Sequence, residues 1–244
     1  MESIYIFYLL LFIVAFLYSS VGHGGASGYL ALMAIYAVSP EVMKPTALLL
    51  NLFVSLTAFI QFYRGKHFKW PIFLPLALAS IPMAFIGGMI SLEADIYKKI
   101  LGLLLLIPVL KFLLYKNSPT QDLQKNTIVL SIFIGLGIGF LSGLIGIGGG
   151  IILSPVLLLL RWTDQKQTAA ISALFIFVNS CSALLGLQYK GINFSPDMIS
   201  FVGIAFAGGL LGSYLGSLKF NQNILKNMLA FVLLVAGLKL IFTS

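Results

Sequence analysis

The sequence predicts an all-α polytopic membrane protein of two inverted repeats, each a glycine-broken re-entrant hairpin followed by three transmembrane helices. Three observations lead there. Of the 244 residues, 59% are hydrophobic and only 9% charged, far below the roughly 25% charged residues of a soluble domain. Apolar runs of about 20 residues, the length that spans hydrocarbon, recur along the whole chain. Two of them are interrupted by glycine clusters, Gly22-His23-Gly24-Gly25 and Gly146-Ile147-Gly148-Gly149-Gly150.

Taken in order, residues 4–18 read as a helix that runs into the first cluster, and a shorter apolar piece at 29–38 ends at Ser39-Pro40. Residues 4–38 are too many for one pass and too few for two. Three full runs follow at 45–63, 71–92 and 96–115, with the basic loop 64–69 between the first two. A polar stretch at 117–126 reads as a linker. Then the pattern restarts, with 127–145, the second cluster, 151–160, and runs at 168–188, 198–218 and 224–242. Phe16, Leu17, Gly22, Gly24 and Gly25 match Phe140, Leu141, Gly146, Gly148 and Gly149 at an offset of 124. Lys44, Thr46 and Ala47 match Lys166, Thr168 and Ala169 at 122. Glycine and polar matches in one order mark a duplication: a first repeat at 1–116, the linker at 117–126 and a second repeat at 127–244.

Orientation follows from the basic residues. If each broken segment crosses once, 8 of the 15 Lys and Arg fall on one side, which is no preference. If each returns to its own side, Arg64, Lys66, Lys69, Lys111, Lys116, Lys125, Arg161, Lys166, Lys219 and Lys226 share one side, 10 of the 15. The positive-inside rule favours the second arrangement. It inverts the repeats, puts the termini outside and the linker in the cytoplasm. The net charge of +8 is thereby explained by topology, and no nucleic acid is expected as a partner. A single cysteine, Cys181, leaves no internal disulfide or CxxC pair. The start, Met1-Glu2-Ser3, is acidic and no small-residue cleavage site follows residues 16–18, so the first run reads as retained.

A glycine cluster inside an apolar run weakens the helix and bares its backbone. In hydrocarbon such backbone is tolerated only inside protein or beside a water-filled cavity, and paired broken helices are how transporters build a site near mid-membrane. A half-helix starting after each cluster aims free N–H groups and a positive dipole end inward, which suits an oxyanion. The candidate ligands are therefore the N–H groups of Gly24, Gly25, Ala26, Gly148, Gly149 and Gly150, with Gly22, His23 and Gly146 of the same clusters and the side chains of Asn51 and Asn179 as further members of the substrate site. The competing reading is that the glycines only let helices pack closely. His23 is the one ionisable side chain expected deep in an apolar segment; it either carries a proton with the anion or, neutral, gives one hydrogen bond. Trp70 and Trp162 stand at run ends, as interface anchors do, and the pairs Gly87-Gly88 and Gly208-Gly209 suggest close packing.

With its glycine motif opening each half, the chain resembles the TauE/SafE family of sulfite and organosulfur-anion transporters. The second half carries the pattern in Gly143-Leu144-Ile145-Gly146-Ile147-Gly148-Gly149-Gly150 followed by Pro155; the first departs from it with His23 for an apolar residue and Ala26 for the last glycine. The resemblance covers nearly the whole chain. It implies movement of sulfite, thiosulfate or a sulfonate across a bacterial inner membrane, with the halves moving around the bound anion. A nucleotide-binding loop is excluded because its strand–turn–helix setting is missing, and no cofactor or metal is expected. An anion channel and a carrier for a carboxylate are the alternatives. An enzyme is not expected, since no intramembrane His/Asp/Glu cluster or HExxH motif is present.

Overall fold

The expected apolar runs become helices in the structure, a computed structural model that describes residues 2–20, 22–114, 123–191, 197–218 and 234. Helix α1 (Glu2–Ser20) and α2 (Ala26–Ile35) flank the first glycine cluster, and α6 (Ile128–Ile145) and α7 (Gly150–Leu159) flank the second. Between them stand α3 (Pro40–Arg64), α4 (Trp70–Met89) and α5 (Ala94–Leu114); α8 (Gln165–Lys190) and α9 (Asp197–Leu218) follow. The last expected span, 224–242, lies outside the described residues. Among those described there is no strand. Helices α3, α4, α6 and α8, and residues 198–215 of α9, are long and apolar enough to cross a membrane. The protein is a multi-pass membrane protein.

Local chemistry sets the helix ends. Pro40, at the first position of α3, has no amide to leave unbonded there, so the helix starts earlier than residue 45 and continues through Pro45. Pro71 opens α4 in the same way, and the helix runs on through Pro82. Asp164 and Gln167 form a reciprocal capping box on α8: the Gln167 amide donates to Asp164 Oδ1 at 2.8 Å and the Asp164 amide to Gln167 Oε1 at 3.4 Å.

The helices pair across the two sequence halves. Helix α4 lies along α6, and α9 lies along α1; α3 packs on α8, α4 also on α8, and α9 also on α3. Exchanging α1 with α6, α3 with α8 and α4 with α9 returns the same set of pairs. Glycine makes the approach close. Gly135, Gly139 and Gly143, one face of α6, rest on the backbone of Leu76, Ser80 and Ala84 of α4. Gly208 and Gly212 of α9 rest in the same way on Phe12 and Phe16 of α1. Gly87 and Gly88 bear out the close packing expected of them, against the 140–144 stretch of α6 and Ala183 of α8.

Contacts link the two sides of each break. Gly28, in the first turn of α2, faces Val14 and Tyr18 of α1, and the Phe7 and Tyr36 rings meet at 5.2 Å. The Gln124 amide, just before α6, donates to the carbonyl of Arg161, just after α7, at 2.8 Å. Asn126 Nδ2 donates to the Pro71 carbonyl at 3.2 Å, so the start of α4 lies at that same end. At the opposite end Lys190 Nζ donates to Ser91 Oγ at 2.8 Å. Trp70 is exposed, beside Phe68 and Phe73. Trp162 corrects its expectation: it is only 5% exposed and packs with Ile72, Phe73, Leu157, Ile171 and Phe175, because its amide donates back to the Leu157 carbonyl at 3.1 Å and tucks the end of α7 into this cluster.

Candidate functional site

Five glycines make the two breaks. Gly22 and Gly25 have φ of 79° and 95°, and Gly146, Gly148 and Gly149 have 88°, 72° and 79°. This left-handed backbone costs other residues roughly 1–2 kcal/mol each, so glycine here ends one helix and starts the next. Gly25 is the N-cap of α2 and Gly149 that of α7. Neither has a side chain with which to cap. Among the described residues, the amides of Gly24, Gly25, Gly148, Gly149 and Gly150 donate to no protein acceptor.

The two breaks meet. Asn51, near the midpoint of α3, places its carboxamide between them. A methyl built on Gly24 would lie 2.6 Å from Asn51 Oδ1 and 2.9 Å from Ile176 Cγ2; one on Gly148 would lie 2.6 Å from Asn51 Nδ2 and 2.8 Å from the same Ile176 methyl. Asn51 Oδ1 accepts the Ala26 amide at 3.1 Å, while Nδ2 donates to Ser180 Oγ at 3.3 Å. The Ala26 amide, expected to face a ligand, is thus held by Asn51. Ile176 and Ser180 lie along α8, so the centre is a contact of α3, α8 and both breaks.

His23 reaches across to the other break. Its Nε2 lies 2.9 Å from Ser154 Oγ on α7, which also donates to the Gly150 carbonyl at 2.9 Å and lies 2.8 Å from Ser172 Oγ on α8. This polar string joins residues 131 positions apart. Nothing in the sequence beyond its i+4 spacing from Gly150 singled out Ser154.

Asn179 is placed differently from Asn51. Its Nδ2 donates to the Phe175 carbonyl of its own helix at 2.8 Å, and its Oδ1, buried, has no partner among the described residues. The neighbouring Ser180 touches Gly148 instead. Neighbours on a helix point about 100° apart, and the mostly apolar α8 gives no periodicity by which to choose between them.

Lys44 is the site neighbour that the sequence did not reveal. It is 7% exposed, and its Nζ donates to the carbonyls of Gly87, Gly88 and Ile90 at 3.3, 3.2 and 3.1 Å. A buried charge is tolerated only with such partners, and the carbonyls ending α4 are the negative end of its dipole. The Lys44 stem also packs on Gly146 at the second break. His23 is therefore not alone among ionisable side chains inside the bundle.

Apolar helices that break at glycine and bring their broken ends together at a polar centre mark a membrane transport protein. The comparison with known proteins narrows this. Residues 7–240 match the family described as Sulfite exporter TauE/SafE, and the chain belongs to that family. It is 36% identical over 242 residues to the probable membrane transporter protein y4hK of Sinorhizobium fredii, covering 95% of each chain. It is 28% identical over 238 residues to the probable membrane transporter protein YjnA of Bacillus subtilis, covering 90% of this chain and 92% of that one. A shorter match, 34% over 83 residues, links it to the Sulfite exporter TauE/SafE family protein 1 of Arabidopsis thaliana. No solved structure matches it. The protein is a membrane transporter of the TauE/SafE type.

Proposed function

We propose that the protein is a secondary transporter that carries a small sulfur-containing anion (sulfite, thiosulfate or an organosulfonate) across the cytoplasmic membrane. The anion sits near mid-membrane between the two glycine breaks, held by the amides of Gly24, Gly25, Gly148, Gly149 and Gly150, with Asn51 beside it. The observation that carries this reading is the meeting of Gly24 and Gly148, half a chain apart, on one asparagine and one isoleucine. Two helix N-termini there offer N–H donors and positive dipole ends from opposite sides. Preorganised donors of this kind hold an oxyanion without a cationic side chain.

The architecture behind this proposal is a pair of inverted repeats, 1–116 and 127–244, each opening with a re-entrant hairpin, joined by a cytoplasmic linker at 117–126. The exchangeable helix pairs support it. So do the Phe7–Tyr36 and Gln124–Arg161 contacts, since each brings the two ends of a broken segment to one end of the bundle. His23 couples transport to protons through its contact with Ser154.

The test is flux into proteoliposomes of the purified protein, with sulfite, thiosulfate, sulfate, methanesulfonate and acetate compared under an imposed pH gradient. Saturable flux of a sulfur anion that follows the gradient is the expected result. Flux of acetate alone would move the proposal to carboxylates, and flux that never saturates would make the protein a channel.

A further inference from the structure

We infer that Asn51 is a displaceable cap, which competes with the substrate anion for the N-terminus of α2; the inference rests on the anion reading above. Asn51 is fully buried, with its oxygen on the Ala26 amide and its nitrogen on Ser180. A carboxamide oxygen and an oxyanion oxygen make the same demand on a helix start, an N–H donor at the positive end of the dipole. The Ala26 amide serves one of them at a time.

A second observation marks the same spot. The Tyr29 hydroxyl is fully buried and has no hydrogen-bond partner among the described residues. It lies against Gly25, where an added methyl would stand 2.6 Å from it. A buried donor without an acceptor is rare and calls for an explanation; at the start of α2 it faces the place where an anion would sit. Tyr29 donates to the anion once Asn51 has turned away.

The exchange gives both selectivity and release. A charged oxyanion forms hydrogen bonds roughly twice as strong as a neutral carbonyl does, so an ionised ligand displaces Asn51 and a neutral one does not. Asn51 in turn lowers the affinity of a site that must also let go, as any conducting site must. Its return to the Ala26 amide accompanies departure of the substrate.

The experiment is ligand-induced thermal stabilisation of the purified full chain by sulfite, thiosulfate and methanesulfonate, on the wild type, Asn51→Ala, Asn51→Asp and Gly149→Leu. The wild type is expected to respond to at least one anion and Gly149→Leu to none. Asn51→Ala is expected to bind that anion roughly threefold to tenfold more tightly, the worth of one lost competing hydrogen bond. Asn51→Asp is expected not to respond, because its own carboxylate holds the amide. Weaker binding by Asn51→Ala, or a wild-type response from Asn51→Asp, would overturn the cap while leaving the anion site intact. A wild type that ignores every anion would overturn the site itself. Should Asn51→Asp not fold, the direction of the Asn51→Ala change decides alone.

Discussion

Between Ser20 and Ala26 the chain turns on two left-handed glycines, beside a histidine and an asparagine that caps the next helix. Between Ile145 and Gly150 it turns on three left-handed glycines, and among the described residues no side chain caps α7. The second break keeps bare backbone donors, while the first has given up one of its donors to Asn51 and carries the imidazole. Under the proposed anion site, this sets fixed donors on one side and adjustable groups on the other.

The sharpest way to break this comparison is to fill the second break. A side chain at Gly149 meets Ile138 and Phe175 at 2.9 Å, so Gly149→Leu should lower transport by about a hundredfold or more, as loss of preorganised donors does. Gly191 also has a positive φ, 87°, though with a different ψ, and among the described residues nothing lies within 4 Å of an added methyl. Gly191→Leu therefore carries positive-φ strain without the obstruction and should transport normally; equal losses in the two would assign the effect to folding.

The next effect concerns stability. Lys44 and Lys166 correspond in the expected duplication, yet Lys44 is buried on three carbonyls and Lys166 is exposed. Lys44→Met should destabilise by about 2–3 kcal/mol through its lost charged hydrogen bonds, and Lys166→Met by less than about 0.5 kcal/mol. Thermal midpoints of the two variants in one detergent check this, and matching values would refute the assignment. Smaller is the effect of His23→Gln, which should leave flux without a gradient within about threefold and remove its dependence on pH, since glutamine does not titrate there. A retained pH profile would reduce His23 to a structural residue. The smallest change is expected from Ser154→Ala, about 1 kcal/mol in stability for the lost cross-break hydrogen bond, read as a fall in thermal midpoint and a shifted pH profile.

Much of the fold was legible because its signals are coarse. Apolar runs gave the helices, and glycine clusters gave the breaks between α1 and α2 and between α6 and α7. The glycine breaks were legible, and the side chains that meet them less so. Asn51 and Asn179 were named together because a buried amide in an apolar helix needs partners. That Asn51, Ser180 and Ser154 meet the breaks while Asn179 does not was not readable, since facing directions on α7 and α8 depend on packing that an all-round apolar helix does not encode. Lys44 was hidden for another reason. It stands near a helix start, where a lysine reads as solvated, and its partners belong to the end of α4, more than 40 residues on.

The glycine seams between α4 and α6 and between α1 and α9 bear on how the protein could change shape. Each seam joins one helix from either half of the sequence, with backbone resting on backbone over about one or two turns. A surface without side chains has few interlocking knobs, yet parting it would forfeit close dispersion contact along its whole length. The seams therefore tie helices from opposite halves of the sequence into shared packing units, so neither half of the sequence packs as a body of its own.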